Sequence, residues 1–311
     1  MTSPRSSPFR LDPLAIRRLL RDEGLRARHS LSQNFLADPD VLEAIIDEAA
    51  AAPGDGILEI GPGLGLLTGA LLEAGAAVTA VELDRRLAAL LRERFEDVIV
   101  VGSRAPAGPG SLRLVEGDAL DQDLPRLVPP PYAVVANLPY HITSPILHRL
   151  LERAPRPERM VLMVQWEVGE RLAAPPGRMS YLSVFVQYHA AVRIVRRVAA
   201  SAFEPAPAVE SAVIVVEPRR PGSVVPADDP GAAEADDSLW ALVQAGFRER
   251  RKMVHNVLVR QLGLPAVRVD AALAAVGIER DRRPQTLAVE EWLALRAALD
   301  AGPGAHAAPD A

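Results

Sequence analysis

The sequence predicts an α/β fold built around a mostly parallel sheet, with a small all-helical domain towards the C-terminus. Two patterns predict it. In the first half of the chain, short apolar runs alternate with segments whose apolar residues have helical spacing, which is typical of βαβ units. Beyond an acidic, Pro-rich stretch, three segments have helical spacing and no strand pattern between them. A chain of 311 residues is long enough for one large domain and one small domain.

The predicted elements follow one another along the chain. Strands are predicted over residues 56–60, 76–83, either 98–101 or 112–115, 132–138 and 159–166. Helices are predicted over residues 39–51, 66–75, 84–95 and 144–153, with three more after residue 238. Three later Val-rich runs, YLSVFVQYHA, VRIVRRV and SAVIVVEP, have no long helix pattern between them. They predict two or three closing strands, some of them antiparallel.

The composition indicates an ordinary soluble globular protein, with 49% apolar and 24% charged residues. No apolar run approaches the roughly 20 residues that a membrane helix needs, and the segment MTSPRSSPFRLDP lacks the apolar core of a signal peptide. There is no cysteine, and the six His residues have no spacing suited to zinc. These features predict a cytoplasmic protein without a membrane segment, a disulfide or a metal site.

The net charge of −5 is distributed unevenly. Residues 221–238 contain five acidic and no basic residues, so they account for all of it. Residues 245–260 have five basic residues against Glu249, a balance of +4, and residues 10–28 have six Arg against three acidic residues, a balance of +3. Basic clusters can bind phosphates, although a charged run is as often a solvated face.

A glycine-rich loop, Gly61-Pro62-Gly63-Leu64-Gly65, follows the first predicted strand. Ligands of open α/β sheets bind where the strands end, and glycines let the backbone approach them closely. A plain tight turn and a nicotinamide site are both alternatives. The third glycine of GxGxxG would fall at Leu66, however, and Pro62 lacks an N–H donor, so the spacing disfavours a dinucleotide.

Acidic residues follow the next two strands. Glu82 ends the second strand, where its carboxylate could accept hydrogen bonds from both hydroxyls of a ribose. Asp118 follows the third strand and could accept from an adenine amino group, or could simply cap the next helix. Glycines and acidic residues at the ends of three successive strands together predict S-adenosylmethionine bound by a class I methyltransferase fold, which is Rossmann-like with a mostly parallel seven-stranded sheet.

The fourth predicted strand ends in Asn137-Leu138-Pro139-Tyr140. An exocyclic adenine amine is a poor nucleophile because its lone pair is delocalised into the ring, so it needs acceptors for its N–H groups and a rigid approach to the methyl donor. The Asn137 side-chain carbonyl and the Leu138 backbone carbonyl can supply the acceptors. Pro139 restricts the backbone, and Tyr140 offers a flat face to the base. A strand-ending turn with a half-buried Tyr is the alternative.

Several segments together resemble the 16S ribosomal RNA adenine dimethyltransferase family, the enzymes whose loss confers kasugamycin resistance. They are HSLSQNFLADP, LEIGPGLGLLT, VEL, NLPYHI, MVQWEVGERL, SAFEPAPAVESAV and FRERRK, and the match spans roughly residues 14–295 in order. The resemblance implies that the methyl donor is held by Gln33, Asn34, Leu36, Gly61, Gly63, Glu82, Leu83, Asp118, Ala119 and Asn137.

The resemblance also implies a role for residues on the target side. Phe203 would stack on the flipped adenine opposite Tyr140, although it could instead be a core residue, and Gln33 with Asn34 could simply cap the next helix. A basic FRERRK helix would track ribosomal RNA phosphates with Arg248, Arg250, Arg251 and Lys252. The family pattern is not kept at Trp166, Met179 and Ser180, which are expected near the RNA-facing side.

The predicted organisation has five parts. They are an N-terminal arm and cofactor-capping segment (1–37), the methyltransferase domain (38–220), an acidic linker (221–238), a helical C-terminal domain (239–301) and a disordered tail (302–311).

The leading hypothesis is a monomer that dimethylates two adjacent adenosines near the 3′ end of 16S ribosomal RNA in the pre-30S particle, with a role in small-subunit biogenesis. Transfer would be a direct displacement without a metal. One alternative is a 23S ribosomal RNA dimethyltransferase of the antibiotic-resistance type, which shares the fold and an NxPY motif, but Leu138 and FRERRK favour the small-subunit enzyme. The others are an assembly factor that binds pre-30S particles without catalysis, and a nicotinamide oxidoreductase, which the GPGLG spacing disfavours.

Overall fold

The computed structural model describes residues 9–28, 31, 33–100, 108–219, 232–249 and 251–301, with only the backbone of residues 232–236. These residues form two compact units. The first unit comprises the described residues up to 170 together with 190–218, and the second comprises 171–189 and the described residues from 219 onwards. Within the described ranges, every helix is too short or too polar to span a membrane.

The first unit contains nine strands in the described residues, which are β1 (Phe35–Leu36), β2 (Gly56–Ile60), β3 (Ala77–Glu82), β4 (Leu112–Glu116), β5 (Tyr132–Asn137), β6 (Arg159–Gln165), β7 (Ala190–Val198), β8 (Phe203–Glu204) and β9 (Ser211–Pro218). Seven of them form one sheet with the order β4-β3-β2-β5-β6-β9-β7. The first five strands in this order are parallel to one another, whereas β9 is antiparallel to both β6 and β7. The predicted mostly parallel sheet with an antiparallel end is therefore confirmed. Strands β1 and β8 form a separate antiparallel pair.

Eleven helices are described in the two units. They are α1 (Pro13–Asp22), α2 (Pro39–Ala49), α3 (Leu66–Glu73), α4 (Arg85–Arg94), α5 (Thr143–Glu152), α6 (Trp166–Leu172), α7 (Tyr181–His189), α8 (Ala232–Arg248), α9 (Val254–Leu262), α10 (Ala266–Ala275) and α11 (Val289–Ala301). Asp12, Asp38 and Asp84 cap the N-termini of α1, α2 and α4 by accepting backbone N–H groups. The central strands are almost wholly buried because helices cover both faces of a parallel sheet.

Two of the three Val-rich runs form the antiparallel strands β7 and β9, which agrees with the predicted two or three closing strands, whereas YLSVFVQYHA forms α7. Nearly all of its side chains are buried, and burial on every side removes the 3.6-residue periodicity that distinguishes a helix from a strand. Its start has a reciprocal cap: Ser183 N–H donates to Ser180 Oγ at 3.2 Å, and Ser180 N–H donates to Ser183 Oγ at 2.9 Å. The third strand is the later of the two candidates, because Ile99 makes only an isolated bridge to Leu112.

Three other expectations differ from the structure. Helix α8 begins at Ala232, so the last part of the predicted linker is helical; residues 220–231 and the predicted tail lie outside the described residues. FRERRK is not one helix, because α8 ends at Arg248 and α9 starts at Val254. Arg251 and Lys252, which precede α9, are exposed. The predicted N-terminal arm contains the amphipathic helix α1, which the sequence analysis missed.

Candidate active site

A cavity lies at the carboxyl edge of the sheet, where β2, β3 and β5 end. Parallel strands end at one edge, so residues far apart in the sequence meet there. The lining contains every residue predicted to hold the methyl donor, which are Gln33, Asn34, Leu36, Gly61, Gly63, Glu82, Leu83, Asp118, Ala119 and Asn137. Leu138, Pro139 and Tyr140 also line it. The structure thus brings the predicted residues together, while their contacts with a donor stay a prediction.

Glu82 joins two of the loops around the cavity. Its Oε2 accepts from the Gly63 N–H at 3.0 Å, and its Oε1 accepts from the Asp84 N–H at 2.8 Å. Burial raises the pKa of this carboxyl, and the hydrogen bonds from Asp84 and Gly63 act in the opposite direction. Each oxygen has a second lone pair, so the carboxylate can still accept from a ligand hydroxyl.

Gly63 shows why the loop needs glycine. Its φ is +58°, in the left-handed region, and a Cβ at this position would lie 3.2 Å from the ring of Phe35. A larger residue would therefore strain the backbone and crowd the N-terminal segment that passes beside the loop.

Asn137 is oriented by the N-terminal segment. Its Nδ2 donates to the backbone carbonyl of Asn34 at 3.1 Å, although the two residues are 103 positions apart. This hydrogen bond uses the donor end of the amide, which leaves Oδ1 as the acceptor in the cavity that Asn137 lines. An acceptor at this position is what the sequence analysis expected of Asn137.

The rest of the motif is fixed by backbone and hydroxyl hydrogen bonds. The Leu138 N–H donates to the Met163 carbonyl at 3.1 Å, and the Leu138 side chain is buried. The half-buried Tyr140 has its hydroxyl 3.1 Å from Oγ of Ser211, a buried residue at the start of β9. Sequence reasoning missed Ser211, because a single Ser in an apolar strand has no recognisable pattern.

Glu59 is a second residue that sequence reasoning missed. It lies within β2, is 1% exposed and lines the cavity. Its Oε2 accepts from Thr68 Oγ1 at 2.7 Å, whereas its Oε1 has no hydrogen-bond partner in the described part of the chain. Burial raises the pKa of the Glu59 carboxyl to about 8, with Thr68 lowering it and the nearby Glu82 raising it further. An acidic residue inside a short apolar strand is the signal that could have identified it.

Asp118 lines the cavity but does not cap a helix. Its Oδ1 accepts from the Leu120 N–H at 2.8 Å, which closes a turn rather than capping a helix, and its side chain still lines the cavity. The neighbouring Ala119 is buried. Leu83, by contrast, is 50% exposed, which is unusual for a large apolar residue and leaves its side chain free to contact a ligand.

Phe203 does not line the cavity. It is 3% exposed and belongs to a core cluster with Val41 and Leu42, because the pairing of β8 with β1 places it opposite Leu36. The structure therefore shows the core residue that was the alternative interpretation. Stacking on a target base stays a prediction, and it requires the ring to leave this position.

The predicted RNA-binding residues are only partly described. Arg251 and Lys252 are exposed in the turn between α8 and α9, and the exposed Arg248 donates to Gln261 Oε1 at 3.0 Å. Arg250 lies outside the described residues.

The three positions that depart from the family pattern are buried or half-buried. Met179 and Ser180 are buried in the second unit, so their side chains are not exposed to a partner, and their nearness to an RNA-facing side stays a prediction. Trp166 is half-buried, and the guanidinium of Arg197 lies 4.5 Å from its ring centroid.

Comparison with known proteins decides the family. Residues 24–300 match the family model described as ribosomal RNA adenine dimethylase. The chain belongs to the ribosomal RNA adenine dimethylase family. The predicted family, the methyltransferase fold and the enzyme class are therefore confirmed.

Relatives of this dimethylase extend over nearly the whole chain. It is 41% identical over 294 residues to ribosomal RNA small subunit methyltransferase A of Moorella thermoacetica, covering 90% of this chain and 95% of the relative. It is 41% identical over 292 residues to the protein of the same name from Geobacter sulfurreducens, covering 92% and 99%.

Two solved structures resemble the dimethylase in fold. The 23S rRNA methyltransferase ErmE has a TM-score of 0.65 and 31% identity, covering 86% of this chain and 100% of that one. A dimethyladenosine transferase from Plasmodium falciparum has a TM-score of 0.65 and 26% identity, covering 84% and 95%.

Proposed function

We propose that this dimethylase methylates the N6 amines of two adjacent adenosines near the 3′ end of 16S ribosomal RNA, with S-adenosylmethionine as donor and the pre-30S particle as substrate. The 41% identity to small subunit methyltransferases over about 90% of the chain supports the small-subunit assignment. A pre-30S substrate places the protein in the cytoplasm and in small-subunit biogenesis.

The lining of the cavity fits S-adenosylmethionine. Glu82 can accept from the ribose hydroxyls, and Glu59 Oε1, which has no hydrogen-bond partner among the described residues, is available to the methionine end. Leu83 and Ala119 offer apolar contacts to the adenine, and Asp118 has a second oxygen for its amino group. When bound, the donor supplies a methyl group on a positively charged sulfur.

The hydrogen bond from Asn137 to Asn34 is the observation that carries the proposal. With Nδ2 occupied, Oδ1 of Asn137 can accept one N–H of the target amine, and the Leu138 carbonyl can accept the other. Two acceptors draw the nitrogen lone pair out of conjugation with the ring, which makes the amine a better nucleophile. Asn137 and Leu138 would thus hold N6 for attack on the methyl group that the donor would supply, and N6 would release a proton after the transfer.

Replacing Asn137 by Ala tests this role. We expect kcat for methyl transfer to fall by at least about 10²-fold, as when one oriented hydrogen-bonding group is removed from an active site. Donor binding, measured by calorimetry, should be largely retained, because the other lining residues are unchanged. Mass spectrometry of 16S RNA from 30S particles of unmodified cells gives the product. Full activity of the variant would remove Asn137 from the mechanism.

A 23S ribosomal RNA substrate is the second candidate, and the likeness to ErmE favours it. The TM-score does not separate the two candidates, because the dimethyladenosine transferase has the same value. Purified 30S particles and 23S RNA, both from unmodified cells, should be offered separately to the wild-type protein. We expect transfer to 16S RNA, and transfer to 23S RNA alone would overturn the proposal.

A further inference from the structure

Asp84 is a buried acidic residue beside the cavity that has no place in the predicted donor site. It is 4% exposed and follows β3 directly after Leu83. Its Oδ1 accepts from the Arg86 N–H at 3.0 Å and so caps α4. Ser or Asn can provide such a cap equally well. Capping alone therefore does not account for a carboxylate at this position.

The second oxygen of Asp84 contacts the N-terminal segment. Its Oδ2 accepts from Gln33 Nε2 at 3.1 Å and from Arg86 Nη2 at 2.9 Å, and Arg28 Nε lies 3.8 Å away. The Gln33 Oε1 accepts from the Arg28 N–H at 2.8 Å. Both ends of the Gln33 side-chain amide are thus occupied, which fixes its orientation and ties it to a residue 51 positions away.

The residue next to Gln33 is the one that orients the catalytic amide. Asn34 accepts the hydrogen bond from Asn137 Nδ2 through its backbone carbonyl, and that carbonyl belongs to the peptide directly following Gln33-Asn34. On the other side, the Asp84 N–H donates to Glu82 Oε1. Asp84 is therefore bonded both to the predicted ribose acceptor and to the segment that holds Asn137.

The charge of Asp84 strengthens these contacts. Its hydrogen bond with the Arg86 side chain lowers the pKa of the carboxyl to about 2, while burial acts in the opposite direction and Gln33 contributes to the lowering. The group is thus an anion at neutral pH, and hydrogen bonds to an ionised acceptor are roughly twice as strong as neutral ones.

We propose that Asp84 is a positioning residue which, through Gln33, holds the Asn34 carbonyl where the Asn137 amide needs it. This inference rests on the proposed role of Asn137. Asp84 itself is not among the residues that line the cavity. Through its hydrogen bonds, Asp84 links Glu82, the predicted ribose acceptor, to the segment that orients Asn137. Gln33, which lines the cavity, is the residue through which this link passes.

The variant Asp84→Ser separates positioning from capping, because Ser can cap α4 but is too short to reach Gln33. Asp12→Ser is the matched control, since Asp12 caps α1 in the same way, with Oδ1 accepting from the Ala15 N–H at 2.7 Å. We expect faster hydrogen exchange of the backbone amides of residues 33–36 in Asp84→Ser and no change there in Asp12→Ser. Unchanged exchange in Asp84→Ser would overturn the proposal.

Measurement of kcat distinguishes a positioning role from a purely structural one. At saturating donor and RNA, kcat of Asp84→Ser should fall about tenfold, the effect of losing one charge-assisted hydrogen bond. Gln33→Met removes the other partner, and the double variant should be no slower than the slower single variant. Effects that multiply in the double variant would show that the two residues act independently and would refute the linkage.

The exchange experiment uses the free protein, so it separates this inference from the proposed function. If the wild-type protein fails to methylate ribosomal RNA, the proposed function fails, whereas hydrogen exchange still decides whether Asp84 holds residues 33–36.

Discussion

Replacing Glu59 by Gln should change how the stability of the protein depends on pH. The Glu59 side chain is buried in β2, its pKa in the folded protein is about 8, and the usual value for Glu is 4.5. Gln keeps a carbonyl that can accept from Thr68, as Glu59 Oε2 does at 2.7 Å, but it cannot ionise. The substitution therefore removes the titration of this group and preserves the hydrogen bond.

The sign of the effect follows from proton binding. Between the unfolded value of 4.5 and the folded value of about 8, the folded state holds a proton that the unfolded state has lost. The stability that Glu59 contributes is thus fully present below pH 4.5 and is lost as the pH rises through about 8. The slope is about 1.4 kcal/mol per pH unit. Across this window the total approaches about 5 kcal/mol, comparable to the whole stability of a small domain.

Urea unfolding of both proteins across this pH range provides the assay. The free energy of unfolding of Glu59→Gln minus that of wild type should increase with pH by about 1.4 kcal/mol per unit and level off above about pH 8. A constant offset is expected in addition, because the Gln NH2 group replaces the unpartnered Oε1. Glu158→Gln, at an exposed residue, is the matched control. Parallel curves for Glu59→Gln and wild type would refute the reasoning.

Two further predictions concern packing and RNA. Gly69→Ala would place a Cβ 2.1 Å from the Phe9 ring, so we expect a loss of about 1–3 kcal/mol in the free energy of unfolding. Urea unfolding measures it, and an unchanged midpoint would contradict the contact. Replacing Arg251 and Lys252 by Ala should weaken binding to 16S RNA and reduce the slope of log affinity against log salt by about one per residue. An unchanged slope in filter binding would exclude phosphate contacts at this turn.

The sequence alone located the parallel strands and the cavity residues, because both depend on patterns within a few neighbouring residues. A strand buried on both faces must be a short apolar run, so β2, β3, β5 and β6 were predicted within one or two residues. Ligand-facing residues follow the strands because the carboxyl edge is the open edge of such a sheet. Glu82 and Asn137 could therefore be named before their neighbours were known.

Helix α7 shows where local patterns fail. Its side chains are buried in the second unit, and a helix that is apolar on all sides has the same composition as a buried strand. The burial of Phe203 could not be predicted for a related reason, since it follows from the pairing of β8 with β1, and pairing between segments distant in the sequence leaves no local pattern.

The sequence alone determined which residue types line the site. Each strand end can be recognised locally, because an apolar run stops there at glycine or polar residues. Only the tertiary structure decided how those residues are oriented. The Asn34 carbonyl accepts from the Asn137 amide, Asp84 accepts from the Gln33 amide, and burial raises the pKa of Glu59 to about 8 although the hydrogen bond from Thr68 lowers it. Hydrogen-bond direction and pKa depend on partners that are distant along the chain and come together only when the chain has folded.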